Sequence, residues 1–139
     1  MQQNGIRMLA AVMFTDMVGY TAMMQDDEQK AKTLRDRHRK VLEDITLIHH
    51  GKIVQYFGDG TLTIFGSSIE AVLCAITIQK ELRKSPPVEL RIGIHSGDIV
   101  YDDDGVFGDC VNVASRIEAS AIGGSILISR KIYDELINH

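Results

Sequence analysis

Lys52-Ile-Val-Gln-Tyr-Phe-Gly-Asp-Gly-Thr-Leu-Thr-Ile-Phe-Gly66 is the stretch that decides the fold. Its flanks, Lys52 to Phe57 and Thr61 to Phe65, are rich in β-branched and aromatic residues, which suit a pleated, half-buried surface. Gly58-Asp59-Gly60 stands between them. Asp-Gly between two such runs is a strong hairpin signal, because the favoured tight turns take positive φ. The stretch is therefore expected to form two antiparallel strands whose turn lifts the Asp59 carboxylate off one end. Asp is common in turns for conformational reasons alone, so a chemical role for Asp59 needs a second acid beside it.

On the N-terminal side, residues 1–6 are polar and are expected to fray. Met8-Leu-Ala-Ala-Val-Met-Phe14 is a continuous apolar run of strand length, suited to a central strand. It leads into Thr15-Asp16-Met-Val-Gly-Tyr20, where Gly19 permits a tight backbone and several N–H groups pointing at one place. A long helix is expected from about Glu28 to His50, with Ala31, Leu34, His38, Val41, Ile45 and Ile48 on one buried stripe. Asp26 with Gln29 reads as its start and Gly51 as its stop. His38 lies on the apolar stripe and reads as a satisfied core or interface histidine; His49 and His50 suit the helix dipole at its C-terminal end.

Beyond the hairpin, Ser67-Ser-Ile-Glu70 is a capping box opening a helix to about Arg83, with Ile69, Val72, Leu73, Ile76 and Leu82 facing inward. Ser85-Pro-Pro87 ends it. Val88 to His95 alternates as a half-buried strand, Ser96-Gly97-Asp98 is expected to turn, and Ile99 to Tyr101 to pair back. The order strand, helix, strand, strand, helix, strand is the split-βαβ, ferredoxin-like order, an α+β antiparallel sheet with helices. In that arrangement the first two strands run parallel with the third between them. Asp16 and Asp59, which follow the first two, then become neighbours at one sheet edge. Paired acids beside a Gly-containing loop are what two divalent cations and a triphosphate require.

The length of 139 residues suits one domain, here 1–139. A formal charge of −4 without a basic block predicts no nucleic-acid binding by electrostatics. No apolar run approaches the roughly 20 residues of a membrane span, and the start has no signal-peptide pattern. Cys74 sits in an apolar helical pattern and reads as a buried thiol; Cys110 is not at a metal-like spacing from it. A cytoplasmic protein is the expectation.

The last third opens on Asp102-Asp-Asp-Gly105, a solvated acidic loop. Asn112 to Ala119 reads as a helix with Asn112 and Arg116 on one face, an amide and a guanidinium suited to a sugar and a phosphate. Phe14-Thr-Asp-Met-Val-Gly-Tyr-Thr21, Phe57-Gly-Asp-Gly60 and Phe107-Gly-Asp-Cys-Val-Asn-Val-Ala-Ser-Arg116 resemble the three signatures of class III nucleotidyl cyclase catalytic domains. Arg91-Ile-Gly-Ile-His-Ser-Gly97 and Gly123-Gly-Ser-Ile-Leu-Ile-Ser129 resemble two further strands of that family. The likeness runs from about residue 8 to the end, in order.

The resemblance implies conversion of ATP to 3′,5′-cyclic AMP and pyrophosphate. It implies two Mg²⁺ or Mn²⁺ ions on Asp16 and Asp59, with the backbone carbonyl of Met17 completing one site. Backbone N–H groups of Val18, Gly19, Tyr20 and Thr21 would hold the phosphates, and Gln55 and Gly58 would line the substrate. Arg116 would stabilise charge at the α-phosphorus and Asn112 would place the ribose. The family works as a head-to-tail dimer with shared sites, so one chain carrying both residue sets implies a homodimer. Additional regulatory domains in a longer chain are expected.

Three departures from the family pattern bear on these expectations. Adenylate-forming members usually have Lys where this chain has Gln55, and Asp, Thr or Ser where it has Gly105, beside Asp104. Guanylate-forming members usually have Glu and Cys there. Gln offers the donor and acceptor that adenine's edge asks for, and guanine can be met too, so GTP stays open. Ser129 to Asn138 reads as a last helix, with Ile132 and Leu136 inward, and the family's final C-terminal strands are expected to be lacking. A catalytically weak or inactive cyclase-like domain used for nucleotide binding or dimerisation is the alternative. A diguanylate cyclase shares the fold order, but no Gly-Gly-Asp/Glu-Glu-Phe turn is present at the hairpin.

Overall fold

In the computed structural model, which describes residues 5–138, the chain runs β1 (Ile6–Met17), α1 (Tyr20–Asp26), α2 (Glu28–Ile48), β2 (Lys52–Tyr56), β3 (Gly60–Phe65) and α3 (Ser68–Leu82). It continues through β4 (Leu90–Asp102), β5 (Gly105–Phe107), α4 (Asp109–Ala119), β6 (Ile126–Ile128) and α5 (Arg130–Ile137). The frayed start expected for residues 1–6 lies outside the described residues up to position 4, and Ile6 already pairs with Tyr101. The sheet order is β2-β3-β1-β4-β5, antiparallel throughout, with β6 added parallel to β4. Strand β3 therefore separates β1 from a parallel β2, as the split-βαβ order requires.

Alternation along β1 sorts its side chains between two cores. Ala11, Met13 and Met17 face α2 and α3 in one; Ala10, Val12 and Phe14 join Leu62, Ile64 and Ile99 in the other, roofed by Cys110 and Ala114 of α4. Helix α2 buries Ala31, Leu34, His38, Val41 and Ile45 as expected, but Leu42 takes the place of Ile48, which is exposed. Its N-cap is Asp27 rather than Asp26, accepting from the Lys30 N–H. The stop also differs. His50, not Gly51, takes the left-handed φ of 61°, and Gly51 is instead the place where Phe65 presses: a Cβ there would lie 2.5 Å from its ring.

Helix α3 starts on its expected Ser67 cap. Its inward face, however, is Ala71, Cys74, Ala75, Ile78 and Leu82, while Leu73 and Ile76 are exposed. Small residues let the helix approach the sheet closely, and larger apolar residues then fall on the outer side. Cys74 is fully buried, as read.

Three strand expectations are corrected. Asp16 and Met17 belong to β1 itself, and Tyr20 opens a short helix instead of continuing a loop. Strand β4 does not turn at Ser96-Gly97-Asp98; it is one 13-residue strand that pairs with β1 from Leu90 to Tyr101. Gly97 makes room rather than a bend, since a Cβ there would meet Cys110 Cβ at 3.3 Å. The Phe57–Gly60 turn closes by Phe57 N–H to Gly60 O (2.9 Å) without positive φ at Gly58, Asp59 or Gly60. Gly60 is required because a Cβ would sit 2.4 Å from Thr15 O. The edges of the sheet are short: β5 and β6 have three residues each, and β2 carries a register shift between Ile53 and Gln55.

Candidate active site

Register brings the two acids together. Asp16 is the residue of β1 opposite Gly60 on one side and Arg91 on the other. Met17 N–H donates to Asp59 O at 3.1 Å, which ties the hairpin turn to the end of β1. Asp59 is half-buried, and its carboxyl is held above the ordinary carboxylate range, first by burial and further by the Asp16 charge. Asp16 and Asp59 thus share one electrostatic neighbourhood.

Arg91 already sits on Asp16 as a bidentate partner: Nε donates to Oδ1 at 2.9 Å and Nη2 to Oδ2 at 3.2 Å. The guanidinium is held above its usual pKa chiefly by that pair. Glu118, from α4, closes the cluster. Its Oε2 lies 3.8 Å from Arg91 Nε, an ion-pair distance without a hydrogen bond. Burial, then the Asp16 carboxylate, drives the Glu118 carboxyl far above its ordinary range. Glu118 comes this close because α4 beds on Gly93, where a Cβ would lie 2.3 Å from Glu118 N. Arg91 and Gly93 are two apart on β4, so they share a face.

Beneath Asp16, on the opposite face, Thr15 Oγ1 meets Thr61 Oγ1 at 2.7 Å and His38 Nε2 at 3.1 Å. These groups are almost fully buried. Burial lowers the His38 pKa to about 4, so the ring is neutral. The reading of His38 as a core histidine holds for Nε2, while Nδ1 has no partner among the described residues.

The Gly19 loop is only partly available to an anion. Gly19 takes φ 70° and caps α1, so the Tyr20 and Thr21 N–H groups open a first helical turn, which leaves such donors unpaired. Val18 N–H is already given to Glu89 O at 2.9 Å. Gln55 and Gly58 lie exposed on the hairpin. Asn112 and Arg116 are exposed on α4, which begins at Asp109 rather than at Asn112. Among the described residues no hydrogen bond or ion pair links either to Asp16 or Asp59. Two cavities among the described residues lie elsewhere, around Asp98 and Lys131 and around Ser67 and Glu135. Asp16 is 24% exposed at its side chain and Asp59 is half-buried, so both carboxylates are reachable from solvent.

The donor set fits divalent cations in one specific sense. Two neighbouring carboxylates, one already paired with a guanidinium and the other with its pKa raised by burial and by the Asp16 charge, call for positive charge. Among the described residues no group of three or more acidic, His or Cys side chains is placed to hold a metal ion. Arg91 and Glu118 were not singled out as site residues from the sequence. The available signal was spacing: Cys110, Ala114 and Glu118 are four apart, which puts Glu118 on the buried stripe of α4.

A family model described as the adenylate and guanylate cyclase catalytic domain matches residues 7–139. The putative adenylate cyclase 3 of Rhizobium meliloti (strain 1021) is 41% identical over 136 residues, covering 92% of this chain and 23% of that protein. The crystal structure of an adenylate/guanylate cyclase/hydrolase from Silicibacter pomeroyi superposes with a TM-score of 0.88 at 32% identity, over 97% of this chain and 83% of that one. A guanylyl cyclase crystal structure superposes at 0.85 with 26% identity, over 94% and 79% of the two chains. The chain thus spans about a quarter of the length of the first of these relatives. Among the described residues no helix is long and apolar enough to cross a membrane.

Proposed function

The chain belongs to the adenylate and guanylate cyclase catalytic domain family, and on that premise we propose that it cyclises ATP to 3′,5′-cyclic AMP and pyrophosphate at the interface of a homodimer. The observation that carries this reading is the division of its polar residues. Asp16 and Asp59 stand together at an open sheet end, while Asn112 and Arg116 face outward on a different element. One chain offers two half-sites, and a two-fold pair of chains completes both.

In the proposed reaction the ribose 3′-hydroxyl loses its proton to solvent, its oxygen attacks the α-phosphorus, the bond from that phosphorus to the bridging oxygen of the β-phosphate breaks, and pyrophosphate leaves. Two Mg²⁺ or Mn²⁺ ions, when bound, supply Lewis-acid charge that favours the 3′-alkoxide and neutralises the triphosphate. Asp16 and Asp59, with the Met17 carbonyl, would hold them. The Gly19, Tyr20 and Thr21 N–H groups receive phosphate oxygens. The partner subunit supplies its Asn112 to orient the ribose and its Arg116 to meet charge at the α-phosphorus. Positioning and preorganised charge carry such a transfer. Gln55 reads the adenine edge with one donor and one acceptor. Larger relatives suggest that this domain operates within a longer, regulated chain.

The test is cyclic nucleotide formation from ATP and from GTP with Mn²⁺ at high protein concentration. Cyclic AMP above an Asp59→Ala blank is the expected outcome. Cyclic GMP alone overturns the base assignment, and full activity in Asp59→Ala overturns the metal role. Mixing Asp59→Ala with Arg116→Ala chains should restore turnover through one intact interface site. Failure to recover, with mixed dimers shown to form, refutes site sharing.

A further inference from the structure

The carboxylate proposed to receive a cation is already held by a cation of the protein's own. Arg91 closes both oxygens of Asp16. A divalent ion seeking the same oxygens competes with it directly. The displaced guanidinium then needs an acceptor, because a partly buried charge without a partner is costly. Glu118 is the acceptor within reach. Its side chain is only 10% exposed, its Oε2 lies 3.8 Å from Arg91 Nε, too far for a hydrogen bond, and the Asp16 carboxylate is a neighbour it shares with Arg91.

The two members of this pair differ in freedom. The backbone of Glu118 is held in place, since α4 rests on Gly93 with no room for a Cβ between them. Arg91 reaches the cluster on a long stem and is 32% exposed at its side chain. The mobile partner is therefore the guanidinium. We propose that Arg91 has two seats, Asp16 before a divalent cation binds and Glu118 afterwards, and that Glu118 is a positioning residue that sets how readily Asp16 is released. The proposal rests on the reading of Asp16 as a metal carboxylate.

The experiment is Mn²⁺ binding without nucleotide, followed by the loss of the free-ion electron paramagnetic resonance signal, in wild type, Arg91→Gln, Glu118→Gln, the double variant and Asp16→Asn. Removing a bidentate charged competitor should tighten binding about tenfold in Arg91→Gln. Glu118→Gln should weaken it several-fold when Arg91 is present and leave it unchanged when Arg91 is replaced. That non-additivity is the signature of action through Arg91. An equal weakening in both backgrounds overturns the proposal and makes Glu118 a direct electrostatic or ligand group. Unchanged binding in Asp16→Asn overturns the metal reading itself and the switch with it. If Glu118→Gln unfolds at the assay temperature, Arg91→Lys carries the test: an ammonium cannot hold both oxygens, so binding tighter than wild type supports the proposal, and equal or weaker binding overturns it.

Discussion

Gly93→Ala is the substitution whose effect the geometry fixes best. The new Cβ would lie 2.3 Å from Glu118 N, 2.5 Å from its Cα and 2.8 Å from its Cβ. Two of the three obstacles are backbone atoms, so no rotamer change relieves them. To reach an ordinary separation of about 3.5 Å, the last turn of α4 must rise by about 1 Å, and a gap of that size already forfeits a quarter to a half of each contact beneath it. Those contacts include Ala114 and Cys110 over Val12, Ile99 and Val106. Overpacking of this kind costs about 2 kcal/mol, or a fall in Tm of roughly 6–8 °C for a domain of this size. Turnover should suffer more than stability. Asn112 and Arg116 ride on the displaced helix, and a 1 Å misplacement can cost about a hundredfold. Thermal unfolding followed by circular dichroism, with cyclase assays well below the variant's Tm, gives both numbers. Gly97→Ala is the internal comparison: its nearest contact is 3.3 Å from the Cys110 Cβ, so its loss should stay under about 1 kcal/mol. A Gly93→Ala chain with wild-type Tm and wild-type turnover refutes the close seating of α4.

Two further outcomes follow from buried groups. Burial lowers the His38 pKa to about 4 in the fold, from the ordinary 6.5 of a free imidazole, so between these values the unfolded chain binds the extra proton. Its contribution is fully present above pH 6.5 and is lost as pH falls through 4, by about 3 kcal/mol in all. In urea titrations over that window, His38→Gln should show a shallower loss of stability; an unchanged slope refutes the assignment. Cys74 and Cys110 are buried, and desolvation raises both thiols to about 11. Neither should react with a disulfide reagent at pH 8 until the chain unfolds, and rapid labelling of native protein contradicts their placement.

What the residues alone disclosed was uneven, for physical reasons. The hairpin strands around Asp59 and the apolar run before Asp16 have local signals, and the split-βαβ order then brings the acids together without any distant contact being known. The face of α3 was misjudged because its packing is set by Ala71 and Ala75, whose small size matters only against a sheet. Gly97 looked like a turn because a glycine that admits a helix and a glycine that bends a strand are identical in sequence. Arg91 and Glu118 meet Asp16 across 75 residues and through a helix contact. Only the four-residue steps from Cys110 through Ala114 to Glu118 hinted at the place of Glu118.

The shortness of the sheet's borders has a bearing on how copies of this chain meet. A three-residue strand offers too few free backbone groups to template another sheet, and the shifted β2 is a poor match for a straight neighbour. Ribbon-like stacking is thereby disfavoured at both borders. Encounters between copies are left to their broad surfaces, where side chains rather than backbone decide fit. On the proposed two-fold pairing, raising the protein concentration should therefore give a saturable association instead of open-ended growth, and a scattering series should level off at one finite mass.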